Sequence, residues 1–342
     1  MTQIQFQATP DVALVAERKS ALEDDSAAFD QADHKAASAY QADVGLAAAV
    51  NAALALSKPL LLMGPPGTGK TELARALAWQ FNLPLHKFET KSSSQSRDLF
   101  YTYDSLRAFS DKEQQIDHKK YLNFQALGRA ILDAVAGTDA RRMALDGTDA
   151  GGKSPRRSVV LIDEIDKAPR DFPNDLLNEI EHLYFKVPEL GRDAMSPRGK
   201  DFDDDMRPIV LITSNDERGL PAPFLRRCLF HHIEFPDVNR LKKIVKAREG
   251  YGEKDARWTG MDPLISLFFS INKALDAQGS APSTSELIDW ISYLKDRGVD
   301  FSKPLSGQHE LFGASAAVLG KSRGASDKVQ TLIKDALGKS KA

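Results

Sequence analysis

The stretch from Pro59 to Phe81 limits the fold more than any other part of the chain. Leu60-Leu-Leu-Met63 is an unbroken apolar run opened by Pro59 and closed by Gly64. A short strand that is apolar on both faces belongs inside a sheet covered on both sides, where parallel strands lie. Gly64-Pro65-Pro66-Gly67-Thr68-Gly69-Lys70-Thr71 follows at once, and a helix-forming stretch continues to about Phe81. Ser158–Ile162 and Ile209–Thr213 repeat the apolar run, and Leu85–Glu89 is a further strand candidate. Helical stretches separate them over residues 58 to 235. The predicted fold class is therefore α/β, a parallel sheet between helices.

Beyond Pro236 the pattern changes. Val238–Arg248, Pro263–Ala277, Thr284–Lys295 and Ser326–Leu337 have helical periods and no strand candidate separates them. Two domains are expected: an α/β domain over 1–237 with an N-terminal helical extension, and an all-helical domain over 238–342. A chain of 342 residues can bury two such cores. Asp171–Phe185 is predicted as one helix, Lys91–Tyr121 and Lys186–Pro208 as polar insertions, and Gly137–Arg157 as a surface loop. With 46 basic against 48 acidic residues the net charge is −2, which argues against a protein that binds nucleic acid through overall charge. A single cysteine, Cys228, rules out an internal disulfide and fits a reducing compartment. The N-terminus lacks the basic and apolar regions of a secretion signal, and no apolar run is long enough to span a bilayer. The expected location is the cytoplasm.

The glycine octet fits G-x-x-x-x-G-K-[ST] in the strand–loop–helix setting that this motif requires. Its glycines let backbone N–H groups turn toward phosphates, and the helix presents its positive end there. Lys70 supplies charge to the β and γ phosphates, and the Thr71 hydroxyl suits Mg²⁺. Candidate nucleotide contacts run through Gly64, Pro65, Pro66, Gly67, Thr68, Gly69, Lys70, Thr71 and Glu72. Asp163 ends the second apolar run and is placed to organise Mg²⁺. Glu164, one residue on, is the candidate general base. Asn215 emerges after the third run, at the same sheet edge, where an amide can orient water or sense the γ phosphate. Arg226 and Arg227, in LPAPFLRRCLF, are candidates for the charge that stabilises phosphoryl transfer. His231-His232 beside Cys228 lacks the spacing of a zinc site and reads as packing.

GPPGTGKT, VVLIDEIDKAP with DFPNDLLNEIE after it, LITSN and LPAPFLRRCLFHHIEFP stand in an order and spacing that resemble AAA+ ATPases, and more narrowly the MoxR group. DLFYTYDSLRAF resembles a stretch that this group carries after its second strand. The resemblance spans about residues 40 to 297. It implies ATP and Mg²⁺ as cofactors, Lys70 and Thr71 as the Walker A pair, and Asp163 and Glu164 as the Walker B pair. It implies Asn215 as sensor 1 and Arg227, in preference to Arg226, as an arginine finger serving the next subunit. It further implies a homo-oligomeric ring, most often a hexamer. The ring would act as a chaperone-like remodeller beside a partner carrying a von Willebrand factor A domain. At the start of the third helix of the lid the group carries a sensor-2 arginine, whereas this chain reads Ala281-Pro-Ser-Thr-Ser285-Glu286, with serine in its place. Two other readings stay open: a nucleic-acid motor or McrB-like restriction NTPase, and a nucleotide-dependent scaffold that hydrolyses poorly. The insertions are the candidate contact or pore-facing elements, with Phe100, Tyr101 and Tyr103 as the residues to test; an aromatic cluster in a polar loop as often anchors the loop to its own domain.

Overall fold

The computed structural model describes residues 5–23, 28, 31–111, 117–134, 155–183, 185–190, 192–195, 204–252, 254–277 and 279–338. Most of the surface loop expected over 137–157, and part of the 186–208 insertion, lie outside them. Two compact units emerge. One comprises residues 1–38, 42–64 and 70–233; the other comprises residues 39–41, 65–69 and 234–342.

The first unit is built on five parallel strands: β1 (Leu60–Met63), β2 (Leu85–Glu89), β5 (Val159–Asp163), β8 (Ile209–Ser214) and β9 (Leu229–His232). Their spatial order is β2-β5-β8-β1-β9. β5 and β8 are buried along their whole length, as strands apolar on both faces must be in a covered sheet. The chain leaves β1 and returns three places away at β2, so β1 and β8 are neighbours with divergent connections. Such a switch point opens a crevice at the carboxyl ends of the strands. β1 enters the glycine loop there, β5 ends on Asp163, and β8 ends just before Asn215.

Two antiparallel pairs decorate this sheet. β3 (Tyr101–Tyr103) with β4 (Leu122–Phe124) forms one, and β6 (Phe185–Val187) with β7 (Arg192–Met195) the other. They correct one expectation and decide another. The 171–185 stretch is not one helix but two short ones, Phe172–Asp175 and Leu177–His182, followed by β6. Leu183 takes a left-handed conformation (φ +50°), which stops the helix, and Phe185 and Val187 then bury alternate positions in the core. Of the two roles open to the aromatics of the first insertion, Phe100 and Tyr101 take the anchoring one. Both are buried, Phe100 stacks on Phe185, and the Tyr101 hydroxyl donates to Glu189 at 2.9 Å. These aromatics anchor the insertion to its own domain, while Leu106 and Phe109 are the large apolar side chains exposed among its described residues.

The second unit is helical in its 234–338 part. Val238–Glu249, Trp258–Asp276, Thr284–Asp296 and Arg323–Gly338 bury Leu241, Phe268, Trp290 and Val329 in one core. The helix predicted from Pro263 begins five residues earlier, at Trp258, and carries Pro263 within it. Thr284–Asp296 opens with a capping box in which Ser283 and Glu286 exchange hydrogen bonds with each other's backbone N–H. Within this unit Ser283, not the exposed Ser285, faces the glycine loop. Gly67 has φ +70°, and a Cβ there would lie 2.2 Å from the Ser283 Cβ. Any other residue at 67 would meet both the strain and the collision. No helix among the described residues is long and apolar enough to cross a membrane.

Candidate active site

Lys70 and Thr71 open the helix Lys70–Phe81, whose apolar face is wholly buried through Leu73, Leu77 and Trp79. That packing fixes the first turn of the helix next to the end of β5. Gly64, the first residue of the loop, has φ +146°, and a Cβ there would sit 2.3 Å from the Ile233 carbonyl oxygen. Lys70 is buried and donates to the Gly64 carbonyl at 2.6 Å. Burial holds its ammonium below the ordinary lysine range, against the pull of Asp166, Asp163 and Glu164.

Asp163 is the hub of the site. The Thr71 hydroxyl donates to its two oxygens at 3.1 and 3.3 Å, and the Thr213 hydroxyl donates to Oδ1 at 2.6 Å. Lys87, on the neighbouring strand β2, reaches Oδ2 at 3.1 Å and Glu89 at 2.7 Å. Burial opposes the charge of Lys87, but its hydrogen bonds to Glu89 and Asp163 prevail and raise its pKa.

Glu164 breaks the pattern of the strand. Its backbone is left-handed (φ +57°, ψ +52°), and its N–H donates to the Thr213 hydroxyl at 2.8 Å. The left-handed region costs a non-glycine residue roughly 1–2 kcal/mol and persists only where the surroundings enforce it. The turn throws the Glu164 side chain toward Asn215, whose amide donates to Oε1 at 3.2 Å, while Lys167 meets Oε2 at 2.5 Å. The structure thus brings together Lys70, Thr71, Asp163, Glu164 and Asn215. Arg226 and Arg227 are exposed on a separate short helix, Ala222–Arg227, where Arg227 pairs with Glu181 at 3.3 Å. Cys228, next to them, packs against the sheet core, and burial pushes its thiol up to about 12, so it is protonated at neutral pH.

Three contributors were missed by sequence reasoning: Thr213, Lys87 and Asp166. Thr213 reads as the last residue of a β-branched strand, and Lys87 as an exposed strand position. Asp166 reads as one more charge in the run Asp163-Glu164-Ile165-Asp166-Lys167.

No cluster of three His, Cys, Asp or Glu side chains suited to a metal occurs among the described residues. The Thr71 hydroxyl and the Asp163 carboxylate nonetheless meet as a pair of hard oxygen donors. This suits Mg²⁺, which takes one or two protein oxygens and fills its shell with water and phosphate oxygens.

A covered parallel sheet thus delivers a loop lysine, a threonine, paired carboxylates and an asparagine to one edge, an arrangement suited to the phosphates of a nucleotide. Residues 59–228 match the family model of the AAA domain (dynein-related subfamily). The chain is 26% identical over 243 residues to a Lon protease of Metamycoplasma arthritidis, covering 70% of this chain and 23% of the relative. It is 32% identical over 114 residues to an ATP-dependent zinc metalloprotease FtsH of Syntrophobacter fumaroxidans, covering 31% of this chain and 17% of the relative. The chain thus spans less than a quarter of the length of these two curated relatives. Among solved structures, a Thermotoga maritima RuvB Holliday junction branch migration motor aligns over 84% of this chain and 66% of its own, at 17% identity and a TM-score of 0.40.

Proposed function

We propose that this chain hydrolyses ATP to ADP and phosphate in a Mg²⁺-dependent reaction, as one subunit of a ring that remodels or matures a partner protein. The observation that carries the hydrolytic part is the Glu164 carboxylate, held by the Asn215 amide beside the Asp163–Thr71 pair. Thr71 and Asp163 would hold Mg²⁺, which when bound screens the charge of the β and γ phosphates. Lys70 exchanges the Gly64 carbonyl for phosphate oxygens. Glu164 takes a proton from water as the water oxygen bonds to the γ phosphorus and the bond to the leaving β–γ bridging oxygen breaks. Asn215 fixes the Glu164 carboxylate in its working rotamer. Catalysis here is positioning and charge stabilisation, with little covalent work for the protein.

Arg227 stabilises the transition state in the site of the neighbouring subunit. Its exposure, its weak surface pairing with Glu181 and its absence from the Glu164 cluster support that role. The MoxR-like order of motifs supports a hexameric ring and a von Willebrand factor A domain partner.

The test is steady-state phosphate release by the Glu164→Gln protein, with ATP binding measured in parallel. Loss of a positioned general base is expected to lower turnover by about 10²–10⁴-fold and to leave ATP affinity intact. Turnover within twofold of the unaltered protein would exclude Glu164 as the base.

A further inference from the structure

The contact between Asn215 and Glu164 spans 51 residues of sequence, and the ladder of the sheet does not secure it. β8 ends at Ser214, so the segment that carries Asn215 lies beyond the last strand residue. Asp216 takes a left-handed conformation (φ +63°), and the chain turns away from the sheet. Something other than strand pairing must therefore hold residues 215–217 in place.

Asp166 does so. Its Oδ2 accepts the backbone N–H of Asn215 and that of Glu217, each at 3.1 Å. The side chain is buried at 4% exposure, and Oδ1 has no hydrogen-bond partner. Burying a carboxylate is expensive, and charge-assisted bonds from two backbone N–H groups are what offset the cost. Asp166 stands two residues after Glu164, in the short helical turn Ile165–Lys167. One turn of chain thus carries both Glu164 and the group that fixes the opposite loop. A shift of either side of the crevice carries the other with it.

From this we infer that Asp166 is a positioning residue for hydrolysis, one that clamps the 215–217 turn so that the Asn215 amide meets Glu164. The inference rests on the reading of Glu164 and Asn215 as the hydrolytic pair. Misplacing a group by about 1 Å can cost on the order of 10²-fold in rate. Asp166→Ala is therefore expected to lower kcat by about 10–10² with unchanged ATP affinity.

The experiment compares Asp166→Ala, Asp166→Asn, Asn215→Ala and the double Asp166→Ala/Asn215→Ala protein, with turnover expressed per folded molecule. Asp166→Asn keeps an oxygen that can accept both N–H groups, so it is expected to recover most of the lost turnover. The double variant is expected to fall no further than Asn215→Ala alone, because Asp166 acts through Asn215. Losses that multiply, or an Asn variant as poor as Ala, overturn the clamp. Normal turnover in Asp166→Ala with impaired Asn215→Ala overturns the clamp alone; normal turnover in Asn215→Ala brings down the reading of the pair as well. A measurement on the unaltered protein guards against a variant that does not fold: amide exchange at Asn215 and Glu217 must be slowed relative to an open turn, and unprotected rates refute the clamp.

Discussion

Replacing Thr213 by valine is the sharpest test of how the site is built. Thr213 is completely buried, and its hydroxyl joins two groups that nothing else supplies so directly. It donates to Asp163 Oδ1 at 2.6 Å and accepts the Glu164 N–H at 2.8 Å. Valine has nearly the same shape and a stronger strand preference, so packing alone predicts a neutral or stabilising change. The hydrogen bonds predict the reverse. Loss of a bond to a charged carboxylate costs about 1.5–3 kcal/mol, and orphaning the buried N–H costs about 1–3 kcal/mol. Because the terms overlap, a net loss of about 2–5 kcal/mol is expected. Serine keeps the hydroxyl and loses one methyl group, worth about 1 kcal/mol. The expected order of stability is threonine, then serine, then valine. Urea unfolding monitored by circular dichroism reads this order from the midpoints, provided the slope is unchanged. A valine protein as stable as the unaltered one, or a serine protein less stable than the valine one, refutes the argument. Turnover should follow the same order, since the Glu164 N–H bond fixes the turn from which the carboxylate projects.

Two further outcomes are expected. Arg227→Ala should lower turnover by about 10³-fold or more while stability stays nearly constant, because its exposed pair with Glu181 contributes under about 1 kcal/mol. Mixing it with Glu164→Gln should restore part of the activity, since one interface then joins an intact Glu164 to an intact Arg227; no recovery would exclude a finger supplied in trans. His34 accepts the Trp79 indole N–H through Nδ1 at 2.9 Å, which requires that nitrogen to be unprotonated. Burial, followed by the charge of Lys19, lowers its pKa below 6.5. The unfolded chain therefore binds more protons as pH falls, so this contribution is fully present above about 6.5 and fades as pH falls through the lowered folded value. Urea midpoints at pH 7.5 and 5.5 should differ less in His34→Phe than in the unaltered protein, and equal differences would exclude His34 as the source.

Much of this was legible because the informative residues are local. An apolar strand, a glycine loop and a helix are contiguous, and the carboxylates of Asp163 and Glu164 stand at a strand end that composition alone marks. The contacts that hold the site are not local. Thr213 to Asp163 and Asp166 to Asn215 cross 50 and 49 residues and depend on β5 and β8 lying side by side. The role of Phe100 and Tyr101 stayed open in the sequence for a related reason. Aromatics in a polar segment look alike whether they face solvent or pin the segment down, and only Phe185, far along the chain, decides between the two. The early end of the helical stretch over 171–185 reflects Leu183, whose left-handed backbone has no signature in a leucine.

The left-handed backbone of Glu164 makes function and durability compete at a single position. Glycine there would remove a strain of roughly 1 kcal/mol and leave the N–H bond to Thr213 in place. A library of variants ranked by heat resistance should therefore enrich Glu164→Gly, a protein that survives better and, on the role proposed for Glu164, cannot activate water. Selection on folding and selection on turnover pull this residue in opposite directions, and its identity in a surviving variant reports which of the two was applied.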